Sequence, residues 1–65
     1  MNHKEKRVIE LAIQKEELAY QHYVDMAKEA SDYNLHKFLV NLSLQETKHK
    51  GLLKEFLRLG DIENA

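Results

Sequence analysis

The chain has 65 residues, with two glycines, no proline, no cysteine, 32% charged residues and a formal net charge of −1. Without cysteine it has neither disulfides nor a thiolate metal site, and the near-neutral charge with no basic stripe argues against a nucleic-acid partner. No apolar run approaches the ~20 residues of a membrane span and no secretory leader opens the chain, so no membrane is expected and the cytoplasm is the expected compartment.

The opening run His3-Lys4-Glu5-Lys6-Arg7 is mixed in sign and reads as a solvated first turn. Helical periodicity then extends from about Lys4 to Ala30. Its inward positions are Ile9, Ala12, Glu16, Ala19, Tyr23, Met26 and Ala30, in alternating steps of four and three. That is the heptad pattern of helices packed face to face. Ile13, Tyr20 and Val24 form a second apolar stripe beside this seam. Glu17 and His22 are rotated off it and read as surface groups, and His3 is given no role.

The cluster Ser31-Asp32-Tyr33-Asn34 breaks the pattern, and Ser31 and Asp32 are both good helix N-caps. A second helix is expected from about Tyr33 or Asn34 to Leu59. Its seam reads Leu35, Leu39, Leu42, Glu46, His49, Leu53, Phe56 and Gly60, with His36 off it. Gly60 stands where a C-cap glycine is expected, and Asp61 to Ala65 reads as a frayed tail. So short a connection implies an antiparallel hairpin. A hairpin of this length buries little of its surface, so self-association is expected.

Glu16, Glu46 and His49 interrupt the two seams, and all three are metal-ligand types. Glu16 lies 16 residues before Asp32, while Glu46 and His49 lie 14 and 17 after it. At ~1.5 Å rise per residue the hairpin brings all three to one level. Glu46 and His49 are three apart and share a helix face. Buried carboxylates are costly unless a charge compensates them. A polar layer that sets helix register would account for one such residue, but three ligand types at one level favour a metal. Tyr23, two turns after Glu16, either hydrogen-bonds a ligand or fills the core.

One hairpin supplies three ligands, too few for two ions. Two hairpins about a twofold axis make a four-helix bundle with two Glu and two Glu-x-x-His pairs. This is the inventory of the di-iron and di-manganese carboxylate bundles. Carboxylate and imidazole donors suit iron or manganese, and zinc remains open. Glu46 would bridge, with Glu16 and His49 terminal.

At these residues the sequence resembles the rubrerythrin and ferritin-like superfamily. The first helix carries Ala12-Ile13-x-x-Glu16-x-x-Ala19-x-x-x-Tyr23 and the second Phe38-Leu39-x-x-Leu42-x-x-x-Glu46-x-x-His49. The likeness covers roughly residues 8 to 61 and is that of a half-ferritin, similar to the encapsulated ferritin-like proteins. It implies an all-α fold, a two-helix hairpin that dimerises into a ferritin-like four-helix bundle. It also implies one di-iron site per dimer, a ferroxidase-like oxidation of Fe(II) by dioxygen, and a higher homo-oligomer such as a ring of dimers. An encapsulating shell is a further implied partner, which would place the protein inside a nanocompartment of the cytoplasm. The relatives' further C-terminal helix and cargo peptide are not among these 65 residues. Rubrerythrins pass electrons through a cysteine-rich module, so a complete peroxide reductase is not expected here. Lys15 stands where some relatives carry an extra carboxylate, so secondary iron sites are not expected.

The alternative is a non-catalytic, metal-stapled or metal-free helical module for oligomerisation or partner binding. Its support is apolar surface beyond the seams. A simple four-helix dimer is expected to leave several of Ile13, Tyr20, Val24, Phe38, Val40, Leu44, Leu52 and Leu59 exposed, and exposed apolar patches mark contacts.

Overall fold

The computed structural model describes the backbone of residues 1–63 and the side chains of residues 1–60. Two helices, α1 (His3–Glu29) and α2 (Tyr33–Glu63), form one antiparallel hairpin. Among the described residues neither helix is long and apolar enough to cross a membrane.

Each helix begins where its sequence offers a cap. Asn2 accepts a hydrogen bond from the Glu5 backbone N–H at 2.8 Å, and Glu5 accepts one from the Asn2 N–H at 2.8 Å. This reciprocal box satisfies two donors that a helix start leaves unpaired. It starts α1 at His3, one residue before the expected Lys4. At α2, Asp32 rather than Ser31 is the cap, accepting from the Leu35 N–H at 2.8 Å. The extended backbone of Ala30 closes α1, its N–H bonding the Met26 and Ala27 carbonyls. His36 Nδ1 lies 2.7 Å from the Ala27 carbonyl oxygen. That contact ties the end of α1 to the start of α2 and gives His36 a structural task.

Two heptad columns on each helix meet in the hairpin. On α1 they are Lys6-Ile13-Tyr20-Ala27 and Ile9-Glu16-Tyr23-Ala30, all half-buried except fully buried Ala27. On α2 they are Ser43-Lys50-Leu57 and Leu39-Glu46-Leu53-Gly60, with Leu39, Ser43 and Gly60 buried and the rest half-buried. Small side chains at Ala27 and Ser43 let the backbones approach closely. The buried Ser43 hydroxyl is satisfied by donating to the Val40 carbonyl at 2.6 Å.

Ile13 and Tyr20 stand on this packing line, and they and Val24 are half-buried. The line is rotated a few tens of degrees from the seam, because polar Lys6, Ser43 and Lys50 share it. The seam residues Met26, Leu35 and Phe56 are instead turned away, 45%, 48% and 58% exposed. Phe38, Val40, Leu44, Leu52 and Leu59 are exposed as expected.

Gly60 does not end α2. The helix runs on to Glu63, and neither glycine has a positive φ. Met1 lies against Gly60. A Cβ at position 60 would stand 2.2 Å from Met1 Cε and 3.3 Å from Met1 Cγ. Of the tail expected to fray, Asn64 and Ala65 lie outside the described residues.

The result is a ribbon, not a ball. Its Cα extents are 50 × 15 × 9 Å and its radius of gyration is 15.1 Å, against about 11 Å for a compact domain of this length. Its accessible surface is 5174 Å², where a compact monomer of this mass exposes about 4,300 Å². One broad face carries Ala12, Ala19 and Met26 from α1 and Leu35, Phe38, Leu42 and Phe56 from α2, of which Met26, Leu35, Phe38 and Phe56 are exposed.

Candidate metal centre

The hairpin register places Glu16, Glu46 and His49 together. One ligand atom from each lies within 4.8 Å of the other two. His49 Nδ1 is 3.4 Å from Glu16 Oε2 and 3.9 Å from Glu46 Oε2. These two separations fall inside the about 4.2 Å that opposite donors span on an ion with ~2.1 Å bonds. Glu16 and Glu46 come from the columns that pack the hairpin, and their side chains are only 24% and 17% exposed. His49 stands one column round, on the open face, and is 56% exposed. The cluster therefore sits where the helix–helix joint meets the open face.

Glu16 Oε2 is buried and has no hydrogen-bond partner. The nearest imidazole nitrogen is not aligned to donate to it. A buried carboxylate oxygen without a donor is costly, and a cation between the three side chains would satisfy it. The same crowding acts on Glu46. The Glu16 carboxyl, close enough to share a hydrogen bond, holds Glu46 above the ordinary carboxylate range. Burial and repulsion from Glu16 push the same way, and His49 opposes them. Two carboxyls in one place cannot both ionise freely without a positive charge between them. Oxygen and imidazole donors in this ratio fit iron or manganese.

The family model for rubrerythrin matches residues 1–57, a span that includes both helices' contributions to the cluster. The chain belongs to the rubrerythrin family. No curated protein and no solved structure gives a significant match. Membership places the chain among ferritin-like, di-iron carboxylate proteins, and a carboxylate and histidine group of the right kind is present.

Other residues named from the sequence fall elsewhere. Tyr23 is half-buried, about 10 Å along α1 from Glu16, and makes no hydrogen bond among the described residues. It shares the packing column of Ile9 and Glu16. His22 is exposed, and His3 lies exposed in the first turn of α1. Glu17 is in a cross-hairpin ion pair with Lys50, as its position off the seam suggests. Lys50 itself escapes a reading built on apolar seams. Its signal is the seven-residue spacing Ser43-Lys50-Leu57, visible only once polar residues are admitted to the packing line.

Proposed function

We propose that the protein is a di-iron carboxylate oxidase, which binds Fe(II) between two copies of the hairpin and oxidises it with dioxygen. The observation that carries this reading is the orphaned, buried Glu16 Oε2 beside Glu46 and His49. Three donors are too few for a pair of ions, and the cluster opens onto the broad apolar face. A second copy laid on that face about a twofold axis doubles the donors and covers Met26, Leu35, Leu42 and Phe56 together. Family membership supports the iron chemistry.

In this reading Glu16 and His49 are terminal ligands and Glu46 the bridge. When bound, iron supplies one-electron chemistry, with Fe(II) as donor and dioxygen as acceptor. The residues do the rest. Glu16 and Glu46 carry negative charge that favours the ferric product over the ferrous substrate. Protonation of Glu46, whose carboxyl is held above its ordinary range, competes with the cation, which makes binding pH-dependent. As a ligand His49 would present Nδ1, the nitrogen that faces both carboxylates. The apolar surround of the open face keeps water from the ligands once covered.

The test is oxygen uptake and ferric absorbance on adding Fe(II) to the purified protein. Both are expected in the wild type and lost in Glu46→Ala. Equal oxidation by the variant and by buffer would sink the reading.

A second reading, a metal-stapled or metal-free assembly module without catalysis, is favoured by the extent of the exposed apolar surface. Elemental analysis after purification without chelator separates the two, together with turnover over several equivalents of Fe(II). Storage of iron would require a larger assembly or a shell.

A further inference from the structure

Lys50 is a cation built in beside a cation site. It follows Glu46 by four residues, the spacing and order at which a glutamate and a lysine of one helix pair best. It is also the residue after His49. By local rules its ammonium belongs on Glu46. It rests instead on Glu17 of the opposite helix, the neighbour of Glu16. Lys50 is the more buried partner, 26% exposed against 57% for Glu17, so its side chain lies along the helix joint at the level of the cluster. Among the described residues no lysine or arginine forms an ion pair with Glu16 or Glu46.

We propose that Glu17 is a positioning residue for the cluster: it holds the Lys50 ammonium away from Glu16 and Glu46, and so keeps those carboxylates open to an incoming divalent cation. The inference rests on the metal reading above. Its physical basis is competition. Two crowded carboxylates attract the nearest positive charge, and a tethered ammonium one turn away has a high effective concentration. An ammonium seated there would have to be expelled before a metal ion could bind. Glu17 supplies an alternative seat one residue from Glu16. The hydrogen bond and charge of Lys50 hold the Glu17 carboxyl below its usual range, with a smaller contribution from Lys54.

The experiment measures Mn(II) affinity by calorimetry on the full chain, as Mn(II) is stable to air. Glu17→Gln is expected to weaken binding about tenfold at low salt, with the difference shrinking at about 0.5 M salt. Glu17→Asp, which keeps the charge, and Lys50→Met are each expected to stay within about twofold of the wild type, and the Glu17→Gln/Lys50→Met double variant to return to within about twofold of it. Helical circular dichroism checks that each variant folds. A metal-free crystal structure of Glu17→Gln is expected to show Lys50 Nζ on Glu16 or Glu46. Weakening that persists in the double variant would make Glu17 a ligand or a structural residue and overturn the proposal. No weakening in Glu17→Gln would also overturn it. A wild type that binds neither Mn(II) nor Fe(II) brings down the metal reading and this inference together. A wild type that binds but is indifferent to Glu17 brings down this inference alone.

Discussion

His49 and Glu16 lie on different helices, yet His49 Nδ1 is closer to Glu16 Oε2, at 3.4 Å, than to Glu46 Oε2 of its own helix, at 3.9 Å. The cluster is thus a tertiary contact and not a local helical motif. An ion bound there would cross-link α1 to α2 and stabilise only the folded hairpin.

Metal should therefore raise the thermal midpoint. At a free concentration of 100 times the dissociation constant, a ligand specific to the folded state adds about 2.7 kcal/mol. Melting with and without Fe(II) under argon, or Mn(II) in air, checks this, and chelator should reverse the gain. In His49→Ala the gain should shrink or vanish.

The metal-free protein should lose stability as pH rises just above the ordinary carboxylate range. Glu46 has a raised pKa when folded, so in that window the folded state binds more protons than the unfolded one. Stability then falls with rising pH until Glu46 is fully ionised. Below the ordinary range the opposite trend applies, because Glu17 and Glu55 have lowered values and lose their partners as they protonate. Melting curves across pH 4 to 7 should show the first slope in wild type and not in Glu46→Gln. Added metal should flatten it.

The two glycines should respond oppositely to alanine. A Cβ at Gly51 meets nothing within 4 Å, so Gly51→Ala should gain about 0.5–1 kcal/mol of helix propensity. In a chain this small that is roughly 4–8 °C per kcal/mol in the midpoint. Gly60→Ala should gain less or lose, since it displaces Met1 from its seat. Amide exchange in the first turn of α1 should speed up in Gly60→Ala alone.

The open face should be an interface between copies. Phe56 is 58% exposed in the hairpin, so Phe56→Glu should leave the hairpin's own packing intact. It should nevertheless abolish the dimer in sedimentation and weaken metal binding at least tenfold, because half of the ligands would be lost. A variant that stays dimeric would mean that the copies meet on another face.

Much of the architecture was legible in the residue order because helix and turn signals are local. Heptad spacing, Asp32 as a cap and the short connection give two antiparallel helices. The length match between Glu16 and Glu46 to His49 follows from counting about one turn. What misled was the assumption that apolar residues alone mark the packing line. Small and amphipathic residues, namely Ala27, Ser43 and Lys50, also pack there, and they rotate each helix so that Ile13 and Tyr20 face the joint. Gly60 misled in a similar way. Its position suggests a helix end, but the helix runs on, and the side chain of the N-terminal methionine, 59 residues away in sequence, lies against it.

By itself the amino-acid order determined the two helices, the turn between them, and the fact that three ligand-type residues come to one level. Each of these depends on short-range periodicity and capping. Only the tertiary structure decided which side of each helix faces its neighbour, and that choice depends on the summed packing of both chains of side chains. From that choice follow the orphaned oxygen of Glu16, the exposure of His49 on the open face, and the diversion of Lys50 from Glu46 to Glu17.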